Sequence, residues 1–367
     1  MSYNFGDKDY GDYFKALETN LTEKHEKPRA ETNQPKKHSR CYRVIRIKPI
    51  PVICVAAAAA VIITSAAVIK TKAGGKNAGL AHRVESTDTA EPRAGITEAP
   101  AFNETAETAD FPADNDCAGG IVVNTTTREI TAQKNPHERL YPASTTKIMT
   151  VLVAAENIKN FSDTFTMSLD ITDPLYIAEA TVAGFSSGEQ ITMTDLLYGT
   201  ILPSGADAAT ALAIKTAGSE TAFAELMNKK VKELGLKDTN FTNCTGLFDA
   251  NQYTTAYDLA LILEAALKIP ICKKVLSTYQ YTTRKTEQHP NGIPLSSTLF
   301  NYMYGTEPGT ATIMGGKTGF VNESGYCIAS YGTNNENGNE YIAVTLKNSS
   351  RWPAFNGQIE LYKQFAK

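Results

Sequence analysis

The chain has 367 residues, 42 % of them hydrophobic and 20 % charged, with a formal net charge of −3. That length is enough for a sizeable core and about two domains. The near-neutral balance of 36 basic against 39 acidic residues excludes a wholly basic nucleic-acid binder and a highly charged disordered chain. Along the chain, however, charge and apolar residues are segregated.

Residues 1–48 are polar and close on a basic cluster of Lys36, Lys37, Arg40, Arg43, Arg46 and Lys48. From Pro49 to Ile69 no residue is charged, and the stretch is rich in Ile, Val and Ala. At 1.5 Å rise per residue such a run spans about 30 Å, the thickness of a bilayer core. The excess of Lys and Arg before it predicts a cytoplasmic N-terminus and an exported remainder. A cleaved signal peptide is the competing reading. Its charged region would be unusually long, and no clear small-x-small cleavage site follows Ile69, so an uncleaved signal-anchor over 49–69 is expected.

Residues 70–116 intersperse Glu85, Asp88, Glu91, Glu98, Glu104, Glu107, Asp110 and Asp114 with Thr, Ala and Pro, and show no apolar period. They read as a flexible acidic tether. The folded domain is expected over 117–367. Four of the six cysteines, Cys117, Cys244, Cys272 and Cys327, lie in it, enough for two disulfides with three possible pairings. No Cys or His spacing indicates a metal site, and no cofactor is expected.

Gly120 to Asn124 and Glu129 to Gln133 predict a hairpin around Thr125–Arg128. Ser144 to Ile158 predicts a helix, apolar at Ile148, Met149, Val151, Leu152 and Ala155. Further helices are predicted over Thr194–Ile201, Ala206–Ala217 and Ser219–Leu234, the last between a Ser cap and Gly235. Thr255 to Asp258 resembles a capping box that opens a helix ended by Pro270. Gly325–Tyr331 and Glu340–Leu346 flank an Asn/Gly-rich turn, a hairpin signal, and Pro353–Phe365 closes the chain as a helix. Strands, then helices, then strands and a helix predict an α+β domain with an antiparallel sheet and a separate helical region.

Three motifs bear on chemistry. Ser144-Thr145-Thr146-Lys147 places a hydroxyl and an amine one helical turn apart, within hydrogen-bond reach. A Lys whose pKa is lowered by burial can take the Ser proton, and a helix N-terminus stabilises a developing oxyanion. Lys317-Thr318-Gly319, after Gly315-Gly316, is expected on an edge strand, where a cation and a hydroxyl suit a carboxylate. Ser204-Gly205-Ala206-Asp207 lies between two predicted helices, and its plain reading is a cap turn, with Asp207 as an N-terminal helix charge.

Ser-x-x-Lys, a Ser-Gly-x turn about sixty residues on, then Lys-Thr-Gly is the set of penicillin-binding proteins and serine β-lactamases. The chain most resembles the serine D-Ala-D-Ala carboxypeptidases, the low-molecular-mass penicillin-binding proteins. The matching segments are Tyr141–Thr150, Asp195–Gly199, Leu202–Gly205, Thr245–Leu247, Thr254–Ala260 and Gly316–Phe320. No Glu-x-x-Leu-Asn segment of the class A β-lactamases occurs.

The resemblance implies a β-lactamase/transpeptidase-like fold, its antiparallel sheet flanked by helices and joined to a helical subdomain. It implies that Ser144 attacks the carbonyl between two D-alanines of a peptidoglycan stem peptide, with Lys147 as base and Ser204 relaying a proton. Lys317 and Thr318 of the Lys317-Thr318-Gly319 strand would hold the terminal carboxylate. Ser144 and Phe320 N–H groups would form the oxyanion hole. Arg351 falls where some members place an Arg that assists the carboxylate, a solvated surface Arg being the other reading. β-Lactams are the expected inhibitors. The chain departs from the family at Ala206, where an Asn is usual. That departure keeps a silent wall- or β-lactam-binding module in view, and a D,D-endopeptidase would use the same residues.

Overall fold

The computed structural model describes residues 101–367. The expected tail, the apolar 49–69 segment and the first part of the tether lie outside them. Among the described residues no helix is long and apolar enough to cross a membrane.

In chain order the domain opens with β1 (Ala109–Asp110), β2 (Gly119–Asn124) and β3 (Glu129–Lys134), followed by a 3₁₀ turn (Ala143–Thr146) that runs into α1 (Lys147–Asn157). The helical region interleaves β4 (Thr164–Thr166), α2 (Leu169–Ile177), β5 (Gln190–Thr192), α3 (Met193–Ile201), α4 (Ala206–Ala217) and α5 (Glu220–Glu233). After it come α6 (Ala256–Leu267), α7 (Pro270–Leu276), β6 (Gln280–Thr282), β7 (Pro294–Ser296) and a short α8 (Phe300–Met303). The chain closes with β8 (Ala311–Val321), β9 (Gly325–Asn334), β10 (Glu340–Asn348) and α9 (Arg351–Phe365).

The main sheet has the order β1-β3-β2-β10-β9-β8 and is antiparallel except for the β1–β3 pair. Both faces are covered. Along β2, Ile121 and Val123 enter the core shared with the helices, while Val122 enters a second cluster with Leu361 and Tyr362 of α9. A strand with apolar neighbours on both faces loses the polar-out alternation and reads as a continuous apolar run. Helix α1 is buried from Lys147 to Ala155, as expected for a helix apolar all round. It lies between α4 and α6 and carries its first turn into the centre of the molecule.

The predicted hairpins and helices form, with shifts that have physical causes. Thr255 caps α6 by accepting from Asp258 N–H, but Pro270 opens α7 at its first position rather than ending α6. Proline belongs at that position because its missing N–H would have no helical partner. α9 starts at Arg351, two residues earlier than expected, with Pro353 tolerated in the first turn for the same reason. α2 is not legible in the sequence because Pro174 sits inside it.

Two expectations are corrected. The fold begins before residue 117: β1 pairs with β3, and Phe102 and Phe111 are buried. Tyr257 holds Phe102 at both its N–H and its C=O, and the Arg128 guanidinium covers the Phe102 ring at 4.2 Å. Residues 101–116 are therefore part of the domain, not tether. The four cysteines, in turn, are buried free thiols and not disulfides. They lie apart, Cys117 ahead of β2, Cys244 beside α1, Cys272 on α7 and Cys327 on β9. Burial raises the Cys117 and Cys272 thiols to about 12 and Cys327 to about 11, the range of inert structural cysteine.

Candidate active site

Ser144 sits in the 3₁₀ turn ahead of α1, between two close backbone approaches. On one side a Cβ added at Gly319 of β8 would lie 2.9 Å from Ser144 N and 3.0 Å from Pro142 O. On the other, a Cβ at Gly246 (φ +79°) would lie 2.0 Å from Ala143 O. Only glycine lets both segments press on the turn. Ala143, immediately before the serine, takes φ +46°, a conformation uncommon for a residue with a Cβ.

Lys147 is 2 % exposed, and its ammonium reaches Ser144 Oγ at 3.1 Å and also the Thr245 carbonyl. Burial lowers its pKa from 10.5 to about 8, partly opposed by Cys244, Asp207 and Glu220. A base of that pKa holds a useful neutral fraction near neutrality. Lys317 is wholly buried in β8 and donates to Thr318 O at 2.7 Å. Burial first, then the charge on Lys147, drives its pKa well below the ordinary lysine range.

β8 is the sheet edge, as expected, and with the loop ahead of α4 it walls a cleft of about 310 Å³. Ser144, Ser204, Thr318, Gly319, Phe320 and Arg351 all line it. Six of the eight expected site residues thus line the cleft, and the other two, Lys147 and Lys317, are buried beside it and each bond to a residue that does. The Lys317 amine is buried on the Thr318 carbonyl and close enough to Lys147 to feel its charge, which leaves Arg351 as the solvent-facing cation among the cleft-lining residues. Arg351 donates to Tyr302 OH at 2.9 Å and lies over the Tyr302 and Tyr326 rings, so it is oriented rather than a free surface charge.

Ser204, with φ +69°, faces the cleft from a second constrained position. Ala206 N–H donates to Thr181 O at 2.8 Å, and the Ala206 side chain is buried outside the cleft. Asp207 does more than charge a helix end. It is 1 % exposed and accepts from the N–H groups of Ala183 (2.7 Å), Gly184 (3.0 Å) and Phe185 (3.2 Å). This clamp holds the segment that carries Thr181 into the cleft.

Sequence reasoning missed Thr181, Thr298, Tyr302 and Tyr326, all of which line the same cleft. Thr298 Oγ1 lies 2.6 Å from Thr318 Oγ1, fixing the hydroxyl of the Lys-Thr-Gly strand. No local pattern marks these residues, because separate loops bring them in.

Residues 104–350, more than half of the chain, match the D-alanyl-D-alanine carboxypeptidase family. The chain belongs to this family. It is 32 % identical over 220 residues to D-alanyl-D-alanine carboxypeptidase DacF of Bacillus subtilis, covering 58 % of this chain and 53 % of that protein. It is also 32 % identical over 239 residues to the D-alanyl-D-alanine carboxypeptidase of Streptomyces sp. K15, covering 63 % and 81 %. The chain spans about half the length of several of the carboxypeptidases it matches. Its mixed α/β fold is similar to the crystal structure of the Streptomyces K15 DD-transpeptidase, with TM-score 0.63 and 28 % identity over 69 % of this chain and 98 % of that one.

Proposed function

We propose that this family member is a serine D-Ala-D-Ala carboxypeptidase that removes the terminal D-alanine from peptidoglycan stem peptides and is acylated by β-lactams. The observation that carries the reading is the buried Lys147 amine, lowered to about 8 and 3.1 Å from Ser144 Oγ, at the floor of a cleft shared with Ser204 and Thr318. Neutral Lys147 takes the Ser144 proton as Oγ attacks the D-alanyl carbonyl. The oxyanion forms against the N–H groups of Ser144 and Phe320. Ser204 passes a proton to the departing amine, the C–N bond breaks, and D-alanine leaves. Water then hydrolyses the ester on Ser144 and releases the shortened peptide. Thr318 and Arg351 hold the terminal carboxylate, a hydroxyl and a planar cation matched to its two oxygens. Lys317 supports this by bonding the Thr318 carbonyl.

The proposal extends to placement. The uncharged 49–69 segment would anchor the enzyme as a single span, with residues 1–48 cytoplasmic and the catalytic domain outside, where the wall lies.

A fluorescent penicillin tests the chemistry. Wild type is expected to label covalently and to release D-alanine from a soluble pentapeptide, and Ser144→Ala to do neither. An unlabelled wild type would sink the nucleophile assignment. Label without D-alanine release would leave a β-lactam-binding module instead.

A further inference from the structure

Trp352 is the single tryptophan of the chain and is 62 % exposed. It is the second residue of α9, next to Arg351. Residues four apart on a helix share a face. Arg351 and Phe355 line the cleft, so Trp352 and Asn356 form the adjacent stripe at its rim, both exposed. The indole meets the Tyr302 ring nearly at right angles, with centroids 5.6 Å apart and planes at 87°. Tyr302 is in turn packed on Phe355 at 4.6 Å and bonded to Arg351. The indole is thus braced by cleft residues while most of its surface stays in solvent.

What sets this exposed aromatic apart is its packing on Tyr302, a residue that lines the cleft. Its chemistry narrows the ligand. An aromatic face carries negative π density and attracts the polarised C–H bonds of a pyranose ring. The Asn356 amide, one turn on, offers two donors and an acceptor, a match for sugar hydroxyls and an acetamido group. The platform is a single aromatic with a polar neighbour, too small for a protein interface.

We propose that Trp352, braced by Tyr302 and accompanied by Asn356, is a carbohydrate platform that binds an N-acetylated amino-sugar ring of the glycan at the mouth of the cleft. The inference rests on the peptidase reading for its biological context, since the substrate peptide hangs from a glycan strand. Stacking and hydrogen bonding require no step at Ser144. Trp352 lies beyond Arg351, the carboxylate end of the cleft, so the sugar held belongs to a strand alongside the stem being trimmed. The enzyme then grips the wall while it works on a neighbouring peptide.

Because Trp352 is the sole tryptophan, intrinsic fluorescence of the full-length protein reports on this one position. Titration with tri-N-acetylchitotriose, which carries no peptide, is expected to give a saturable change in emission. An unchanged emission through saturating sugar would overturn the platform, whatever the outcome of penicillin labelling. The second arm compares D-alanine release from isolated sacculi and from a soluble pentapeptide. Trp352→Ala is expected to slow release from sacculi about tenfold, the loss typical of an aromatic anchor, with the soluble peptide processed within about twofold of wild type. Trp352→Phe should restore most of the sacculus rate. A parallel fall on both substrates, or no fall on sacculi, would overturn the proposal. Cosedimentation of Ser144→Ala protein with sacculi, with and without Trp352→Ala, reads the same site without turnover. A wild type that neither labels nor releases D-alanine would overturn the peptidase reading alone.

Discussion

In the proposed mechanism the reactivity of Ser144 depends on the protonation of one buried amine. Lys147 must be neutral to act as base, so the second-order rate of penicillin acylation is expected to climb about tenfold per pH unit below 8 and to level off above it. Stopped-flow labelling between pH 6 and pH 10 would show this, and a flat profile would remove Lys147 from the role. The same group sets a stability trend. Its folded pKa of about 8 lies below the ordinary 10.5, so between those values the unfolded chain binds more protons. The contribution of Lys147 to stability therefore rises with pH through that window. Ala206 matters less at this scale than its sequence position implies. Its side chain is buried away from the cleft, and Thr181, whose carbonyl accepts from the Ala206 N–H, lines the same cleft as Ser204.

The site is assembled where elements meet: the first turn of α1, the edge strand β8 and the start of α4. α4 gains its hold through Asp207, whose two oxygens serve three consecutive N–H groups of the 183–185 segment. Asp207→Asn removes the charge and turns one acceptor into a donor facing those N–H groups. The variant is expected to lose about 2–4 kcal/mol of stability, the scale of breaking buried hydrogen bonds to a charged group. Penicillin acylation should slow as the Thr181–Ser204 wall loosens. A thermal melt and an acylation rate both equal to wild type would show that the segment holds without the clamp. Most of these elements were legible in the sequence, because caps such as Ser219 and Thr255 and the Asn/Gly turn ahead of β10 are local signals. The clamp was not, since an Asp in a first helical turn looks the same whether it faces water or a distant loop.

At the scale of the molecule, one core joins the helical region to one sheet face and a second lies between the sheet and α9. The N-terminal arm adds to both, Phe102 to the first and Phe111 to the second. Each buried aromatic contributes about 1.5–3 kcal/mol, and β1 also covers the edge of β3. A chain cut to 101–367 is therefore expected to fold and label with penicillin. One cut to 117–367 should melt at least several degrees lower or aggregate through the bared edge. Equal melting temperatures for the two would show that the arm is dispensable. The acidic composition of 101–116 concealed this, because two phenylalanines and a two-residue strand leave no periodic pattern.

The sequence by itself determined what is local or chemical: a serine and a lysine one helical turn apart, a Lys-Thr-Gly strand, the helix caps, the hairpins and the order of the motifs. Tertiary structure decided which of these groups are buried and which distant residues meet. It buried Lys147 far enough to lower its pKa to about 8, buried Lys317 against the Thr318 carbonyl, aimed Arg351 into the cleft through Tyr302, and brought Thr181 and Thr298 alongside the motifs. The reason is physical. Spacing along a chain fixes which side chains are neighbours on one element, whereas pKa and access to substrate depend on desolvation by residues that the sequence places a hundred positions away.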